Sequence, residues 1–249
     1  MTPDEHVAAI SEHAEAVRAS AAKAGLDAAT PTCPGWTVRD VVGHLGGVQR
    51  WAASFVEEAR TDPPSGEVVL ETPAADPELL DWFRDGYEHL VKVLSAADDT
   101  VECWTFLPAP FPRAFWSRRQ AHETAIHRVD VAAAAGEVVG VAPAFAVDGI
   151  DELMLGFFAH RRGRLLADRP VTLGVRVTDA GDADAWTMRI GPQGRQVDRG
   201  TGHGDLLVSG PASDVYQFLW NRAGTDRVEL DGNERVLDIW REKARVTWS

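Results

Sequence analysis

The sequence predicts an α+β protein of two domains. A four-helix bundle is expected in residues 1–140, followed in residues 141–249 by a small α+β domain with a mainly antiparallel sheet. The first half contains four segments whose apolar residues recur every three or four positions, as on the buried face of a helix. After Gly140 the pattern changes to short apolar runs separated by turn residues, which is typical of strands.

The four helices of the first half are predicted from their apolar stripes and from the residues at their ends. Gly25 is expected to cap the first helix at its C-terminus. The second helix should begin with a capping box formed by Thr37 and Asp40, and the third with Asp76-Pro77. The predicted helices cover residues 4–23, 37–60, 76–94 and 118–135.

The second half is predicted to alternate between helices and strands. Residues 171–177 and 185–190 have the pattern of a hairpin pair, separated by a turn-rich segment. Pro211 is expected to open a short helix. Beyond the hairpin, we predict strands near 196–197, 205–209 and 227–230, and helices at 143–159, 212–222 and 234–245.

Composition and charge exclude several functional classes. The formal net charge of −13 disfavours nucleic acid and anionic membranes as partners. No apolar run reaches the ~18 residues of a membrane span, and the N-terminus does not resemble a signal peptide. Two cysteines are too few for a disulfide framework. A cytoplasmic protein that acts on small molecules is therefore expected.

The most informative stretch is the fourth predicted helix, which contains the pattern HExxxH. Glu123 and His127 are four residues apart and lie on one helix face, where a carboxylate and an imidazole form half of a divalent metal site. His122 is rotated roughly 140° from His127, so these two cannot easily share an ion. The spacing also argues against a zincin protease, whose motif is HExxH.

A third ligand must come from elsewhere, and His44 in the second helix is the best candidate. Val41, Val42 and Leu45 flank it, which places it near an apolar seam. The residues alone leave alternatives open: His44 could be a hydrogen-bonded core histidine, and Glu123 with His127 a solvated surface pair.

Two motifs together resemble a known family. Residues 32–45, TCPGWTVRDVVGHL, and residues 115–130, FWSRRQAHETAIHRVD, are similar to the mycothiol-dependent maleylpyruvate isomerases. The second half also resembles this family, most clearly in residues 210–222, GPASDVYQFLWNR. The resemblance implies a DinB-like metal-binding bundle followed by a domain similar to sterol carrier proteins.

The resemblance implies that His44, Glu123 and His127 bind one divalent ion, expected to be Zn²⁺, with mycothiol as the thiol cofactor. Three protein ligands leave one coordination position open, as in catalytic zinc sites. A thiol in that position becomes a nucleophile at neutral pH. In an isomerase the thiolate would add to a conjugated double bond, allow rotation and leave; in an S-transferase it would stay attached.

Other residues near these motifs are expected to support the site. Arg119, one turn before Glu123, could bind an anionic substrate or the carboxylate of the thiol cofactor, or form a salt bridge with an acidic neighbour. Asp130 could orient a ligand histidine, or pair with a nearby arginine. Cys33 is interpreted as a structural residue of a proline-containing turn. Arg222 is matched by the resemblance to an arginine that reaches the active site from the second domain.

Two other functions remain open at this point. A non-catalytic protein could bind a small ligand or regulate a partner, although it would not need an open metal position. A DinB-like metal hydrolase would use bound water in place of the thiol. The natural substrate and the oligomeric state cannot be derived from the sequence.

Overall fold

A computed structural model describes residues 1–65, 70, 78–159, 164–180 and 184–246. The chain divides into two compact units, Met1–Val139 and Gly140–Trp248. The first is helical and the second is α+β, with a mainly antiparallel sheet, which confirms the predicted fold class. Among the described residues, no helix has both the length and the hydropathy that a membrane span requires.

The described residues of the first unit form four long helices, α1 (Pro3–Ala24), α2 (Val38–Glu57), α3 (Leu79–Ala96) and α4 (Pro112–Ala134). Helix α1 packs on α3 and α4, and α2 packs on the same two helices, so that α1 and α2 lie diagonally opposite each other. This is the arrangement of a four-helix bundle.

Local sequence signals explain where several of these helices begin or end. Thr37 accepts a hydrogen bond from the Asp40 backbone, and the Asp40 side chain accepts from the Thr37 backbone, so the predicted capping box is confirmed. Gly25 ends α1 with a φ of 84°, a conformation that glycine adopts without strain. The predicted start of α3 at Asp76-Pro77 lies outside the described residues.

The core of the bundle is formed by the predicted apolar stripes. The apolar stripe of α1, which consists of Val7, Ile10, Ala14, Val17 and Ala21, is buried, and in α2 the residues around His44 are fully buried. One cluster joins the helices and contains Ala14, Val17, Ala21, Val38, Val41, Val42, Leu45, Leu79, Phe83, Tyr87 and Val131. His44 therefore lies on a helix that is fixed by packing on both of its neighbours.

The bundle also buries a histidine outside this apolar cluster. His13 in α1 is 4% exposed, and its Nδ1 atom lies 3.1 Å from a guanidinium nitrogen of Arg128 in α4. Burial, together with the charges of Arg128 and His122, lowers the pKa of His13 from 6.5 to about 4. His13 is consequently neutral in the folded protein at neutral pH and accepts a hydrogen bond from Arg128.

This burial predicts a loss of stability in mild acid. Between pH 6.5 and 4 the unfolded chain binds a proton at His13 and the folded chain does not, so stability falls as the pH falls through this window. The full shift corresponds to at most about 3 kcal/mol. His13→Asn keeps an acceptor for Arg128 and should lack this part of the loss, which denaturant titrations of the metal-free protein at pH 7 and pH 4.5 would measure. Equal pH dependence of the two proteins would contradict the prediction.

The described residues of the second unit form a five-stranded sheet of β1 (Val171–Val177), β2 (Ala185–Gly191), β3 (Gly194–Arg199), β4 (Leu206–Gly210) and β5 (Glu229–Gly232), in the order β3-β2-β1-β4-β5. The predicted hairpin is confirmed, since β1 and β2 pair antiparallel with Val171 opposite Ile190. Strands β1 and β4 pair in parallel, and the other neighbours are antiparallel.

The helices of the second unit depart from the prediction at their ends and in their winding. Helix α5 (Pro143–Asp151) continues as a π-helical segment, Glu152–Phe158, where one α-helix was predicted. Helix α6 (Ala212–Leu219) ends three residues early, since Asn221 adopts a φ of 59° that is incompatible with a continuing helix. The last helix, α7 (Glu234–Lys243), lies close to its predicted range.

Candidate metal centre

The structure brings together the three predicted ligands. Glu123 and His127 lie on one face of α4, and His44 faces them from α2. The Nε2 atom of His44 is 3.1 Å from Oε1 of Glu123, and the Nε2 atom of His127 is 3.4 Å from the same oxygen. Two imidazole nitrogens therefore converge on one carboxylate oxygen.

These distances and the donor types fit a divalent cation of the zinc type. Ligand atoms ~2.0–2.1 Å from a tetrahedral zinc ion lie roughly 3.3 Å from each other, which is close to both measured separations. Two imidazoles and one carboxylate form a common zinc donor set, and three protein ligands leave one position for another molecule. His44, Glu123 and His127 would hold the ion.

Glu123 is held in an ionised state by its neighbours. Burial opposes its ionisation, but hydrogen bonds with His127 and His44 and the charge of Arg119 outweigh this effect and keep the pKa of Glu123 well below its usual value. An Nη2 nitrogen of Arg119 donates to Oε2 at 2.9 Å, while Oε1 faces the imidazoles. The two oxygens of Glu123 thus have different partners.

Arg119 is fully buried and forms the salt bridge with an acidic neighbour that the sequence allowed. Its position one turn before Glu123 on α4 makes this pairing possible. The contact predicted between Arg119 and an anionic substrate or thiol cofactor remains a prediction.

His127 is fixed from its other ring nitrogen by Asp130. The Nδ1 atom of His127 lies 2.8 Å from Oδ2 of Asp130, which is fully buried one turn further along α4. Burial lowers the pKa of His127, but hydrogen bonds with Asp130, Cys33 and Glu123 raise it well above its usual value. Of the two roles that the sequence allowed for Asp130, the structure shows contact with His127, a predicted ligand.

The segment between α1 and α2 contributes three residues to the site. Cys33 and Thr32 donate hydrogen bonds to Asp130, which the sequence did not predict, and Trp36 lies over His44 and His127. The ring of Trp36 is parallel to that of His127, with 6.3 Å between their centres, and meets His44 edge-on at 5.3 Å. Trp36 is 37% exposed, so one side of it is open to solvent.

The position of Thr32 and Cys33 in the sequence is the signal that could have linked them to the site. They stand in the short turn directly before the helix that carries His44, so they enter the bundle at the same end as this predicted ligand. The composition of this turn, with Pro31 and Pro34, was interpreted as structural only. The partner, Asp130, is 97 residues from Cys33 and cannot be found from local sequence.

Arg222 lies in the second unit, just beyond α6. Its backbone N–H donates to the Gln217 carbonyl at 2.8 Å, and its Nη1 nitrogen donates to the Trp220 carbonyl at 2.9 Å. The second bond holds the guanidinium group, at the end of the side chain, against the backbone of its own segment. The catalytic role that the resemblance implied for Arg222 remains a prediction.

Comparison with known proteins agrees with the resemblance found in the sequence. The family model described as the mycothiol maleylpyruvate isomerase N-terminal domain matches residues 7–132, and the model of the corresponding C-terminal domain matches residues 144–238. The chain belongs to the mycothiol maleylpyruvate isomerase family. All three predicted ligands lie within the first matched range.

Two solved structures share the fold of this chain. A crystal structure of a mycothiol-dependent maleylpyruvate isomerase and one of a point mutant of that enzyme each align with a TM-score of 0.62. The alignments have 13% sequence identity and cover 93% of both chains. No curated protein sequence matches this chain. At this identity the two structures establish a shared fold.

Proposed function

We propose that this chain is a mycothiol-dependent isomerase or S-transferase that uses a divalent ion, held by His44, Glu123 and His127, to activate the thiol. Its substrate would be an electrophilic small molecule of the maleylpyruvate type. The observation that carries the proposal is the convergence of two imidazole nitrogens on Oε1 of Glu123, at 3.1 and 3.4 Å, in a member of this family.

The residues of the chain have separable tasks in this proposal. When bound, the ion would stabilise the thiol as a thiolate, which is the nucleophile that addition to a conjugated double bond requires. Arg119 keeps one oxygen of Glu123 occupied, so that the other faces the ion site. Asp130 holds the ring of His127, and Trp36 covers the ligand histidines on a side that is partly open to solvent.

The site favours an enzyme over a non-catalytic binding protein. A structural metal site would be closed by four protein ligands, whereas the group formed by His44, Glu123 and His127 supplies three. The rival hydrolase would use the same three ligands, so geometry does not separate it from the proposed enzyme. Dependence of turnover on added thiol does separate them.

The proposed activity can be tested with the purified chain and maleylpyruvate. We expect turnover only when both mycothiol and a divalent metal are present, and loss of turnover after treatment with a chelator, with recovery on addition of Zn²⁺. Analysis of the product by NMR distinguishes an isomer from a stable S-conjugate. Equal turnover without any thiol would contradict the proposal and favour the hydrolase; absence of bound metal would favour the non-catalytic binding protein.

A further inference from the structure

Asp130 accepts hydrogen bonds from three side chains. His127 donates from Nδ1 to Oδ2 at 2.8 Å, Cys33 donates from Sγ to Oδ2 at 3.2 Å, and Thr32 donates from Oγ1 to Oδ1 at 2.5 Å. Asp130 is fully buried. A buried carboxylate with both oxygens engaged in this way has little freedom to turn.

This arrangement determines which nitrogen of His127 can bind a cation. An ionised carboxylate only accepts hydrogen bonds, so the Nδ1 atom of His127 must carry the proton that points at Asp130. When the ring loses its other proton to become neutral, the lone pair of Nε2 is available on the side that faces Glu123 and His44.

The turn that presents Thr32 and Cys33 is itself fixed by hydrogen bonds. The Thr30 backbone and hydroxyl both donate to the Trp36 carbonyl, at 2.9 and 2.8 Å, and the Cys33 backbone donates to the Thr30 carbonyl at 3.1 Å. Gly35 has a φ of 89°, which allows the chain to turn back. The same turn carries Trp36, whose ring is parallel to that of His127.

We infer that Asp130, held in place by Thr32 and Cys33, is the positioning residue of the metal centre, and that Cys33 acts as a hydrogen-bond donor and not as a metal ligand. This inference rests on the proposed function, because it assumes that His127 binds the ion through Nε2. The turn between α1 and α2 thereby fixes a ligand on α4, in addition to leading into the helix that supplies His44.

A rival arrangement uses the same residues. Cys33, His127 and Asp130 are also close enough to hold a cation together, through Nδ1 of His127. A cation there would replace the hydrogen bonds that Asp130 accepts from Cys33 and His127, and it would leave His44 and Glu123 without a part in binding. When Asp130 positions His127 and the cation lies at His44, Glu123 and His127, all of these side chains and Cys33 have a part, and we therefore favour this arrangement.

Zinc affinity separates the two arrangements. Competition with a chromophoric chelator should show a 10- to 100-fold weaker affinity for Asp130→Asn, the usual cost of losing a residue that orients a ligand. Thr32→Val, which removes only the hydroxyl, should also weaken zinc binding, and Thr32→Ser should restore it. Cys33→Ser keeps a donor and should bind zinc like the unchanged protein.

Spectroscopy adds measurements that general destabilisation would not change. In the zinc-loaded protein labelled with ¹⁵N-histidine, the Nδ1 proton of His127 should give an NMR signal that is shifted or lost in Asp130→Asn. The cobalt-substituted protein without added thiol should show no thiolate-to-cobalt absorption band. Such a band, absent in Cys33→Ser, would show that Cys33 is a ligand and would overturn the inference.

Zinc binding by His127→Ala distinguishes a failure of the positioning role of Asp130 from a failure of the proposed metal site. If His127→Ala loses zinc while Asp130→Asn binds it with unchanged affinity and an unchanged NMR signal, the positioning role is wrong and the metal site stands. If neither substitution changes zinc binding, the proposed metal site itself is wrong. Loss of zinc in His127→Ala with a 10- to 100-fold effect in Asp130→Asn supports both.

Discussion

Replacement of His127 by alanine is expected to weaken zinc binding by more than about a hundredfold, which is the upper range for loss of a residue that only supports a ligand. The substitution removes one of the three atoms proposed to bind the ion, and it also removes the Nδ1–H group from which Asp130 accepts a hydrogen bond. Thiol-dependent turnover should fall in parallel, since the proposed nucleophile requires the ion. Metal content and turnover of the same preparation measure both effects.

A matched control is available on the surface of the same unit. His89 and Glu57 form an imidazole–carboxylate pair at 3.1 Å, but both side chains are about half exposed. His89→Ala should therefore retain full metal content and turnover. If His127→Ala and His89→Ala bound metal equally well, His127 would not be a ligand.

Among the substitutions considered, replacement of Arg119 by methionine should produce the largest decrease in the free energy of unfolding. The substitution removes the buried guanidinium group that pairs with the Glu123 carboxylate, and removing one member of a buried pair costs about 3–5 kcal/mol. We expect this loss in the free energy of unfolding of the metal-free protein. Because a bound cation would also neutralise Glu123, saturating Zn²⁺ should recover part of it. Denaturant titrations with and without Zn²⁺ measure both effects.

Arg84→Met provides the comparison for Arg119→Met. Arg84 forms ion pairs with Asp81 and Asp85 on the exposed side of α3, where ion pairs contribute little. This variant should unfold much like the unchanged protein, with and without Zn²⁺. An equally small loss for Arg119→Met would show that Glu123 does not depend on Arg119.

The parts of the fold that follow local rules could be predicted from the sequence. The capping box at Thr37 and the apolar stripe of α1 depend on residues within one or two helical turns, and both are found as predicted. The β1–β2 hairpin is equally local. The parallel pairing of β1 with β4 joins strands between which β2 and β3 intervene in the chain, and no short-range pattern specifies it.

Residues 152–158 show a second limit of prediction from sequence, because they are π-helical where an α-helix was predicted. Leu153 and Met154 lie four residues before Phe157 and Phe158, and all four side chains are buried. Such a set fits an α-helical pattern, so the apolar spacing did not reveal the π-helical segment. The distinction depends on backbone hydrogen bonds and not on which side chains are apolar.

The candidate site was predictable to the extent that it lies on one helix. The spacing of Glu123 and His127 places both on one face of α4 whatever surrounds that helix. The approach of His44 is a property of how α2 packs on α4, and the sequence supported it through the apolar neighbours of His44 and, more strongly, through the family resemblance. The contacts of Asp130 with Thr32 and Cys33 could not be predicted, because they join residues almost 100 positions apart.

The most direct test of the central claim is anomalous X-ray diffraction from crystals of the zinc-loaded protein, measured at the zinc absorption edge. We expect one strong peak in the first unit, ~2.0–2.2 Å from the Nε2 atoms of His44 and His127 and from a carboxylate oxygen of Glu123. A peak bonded to Cys33 and Asp130, or the absence of a peak near His44, would contradict it.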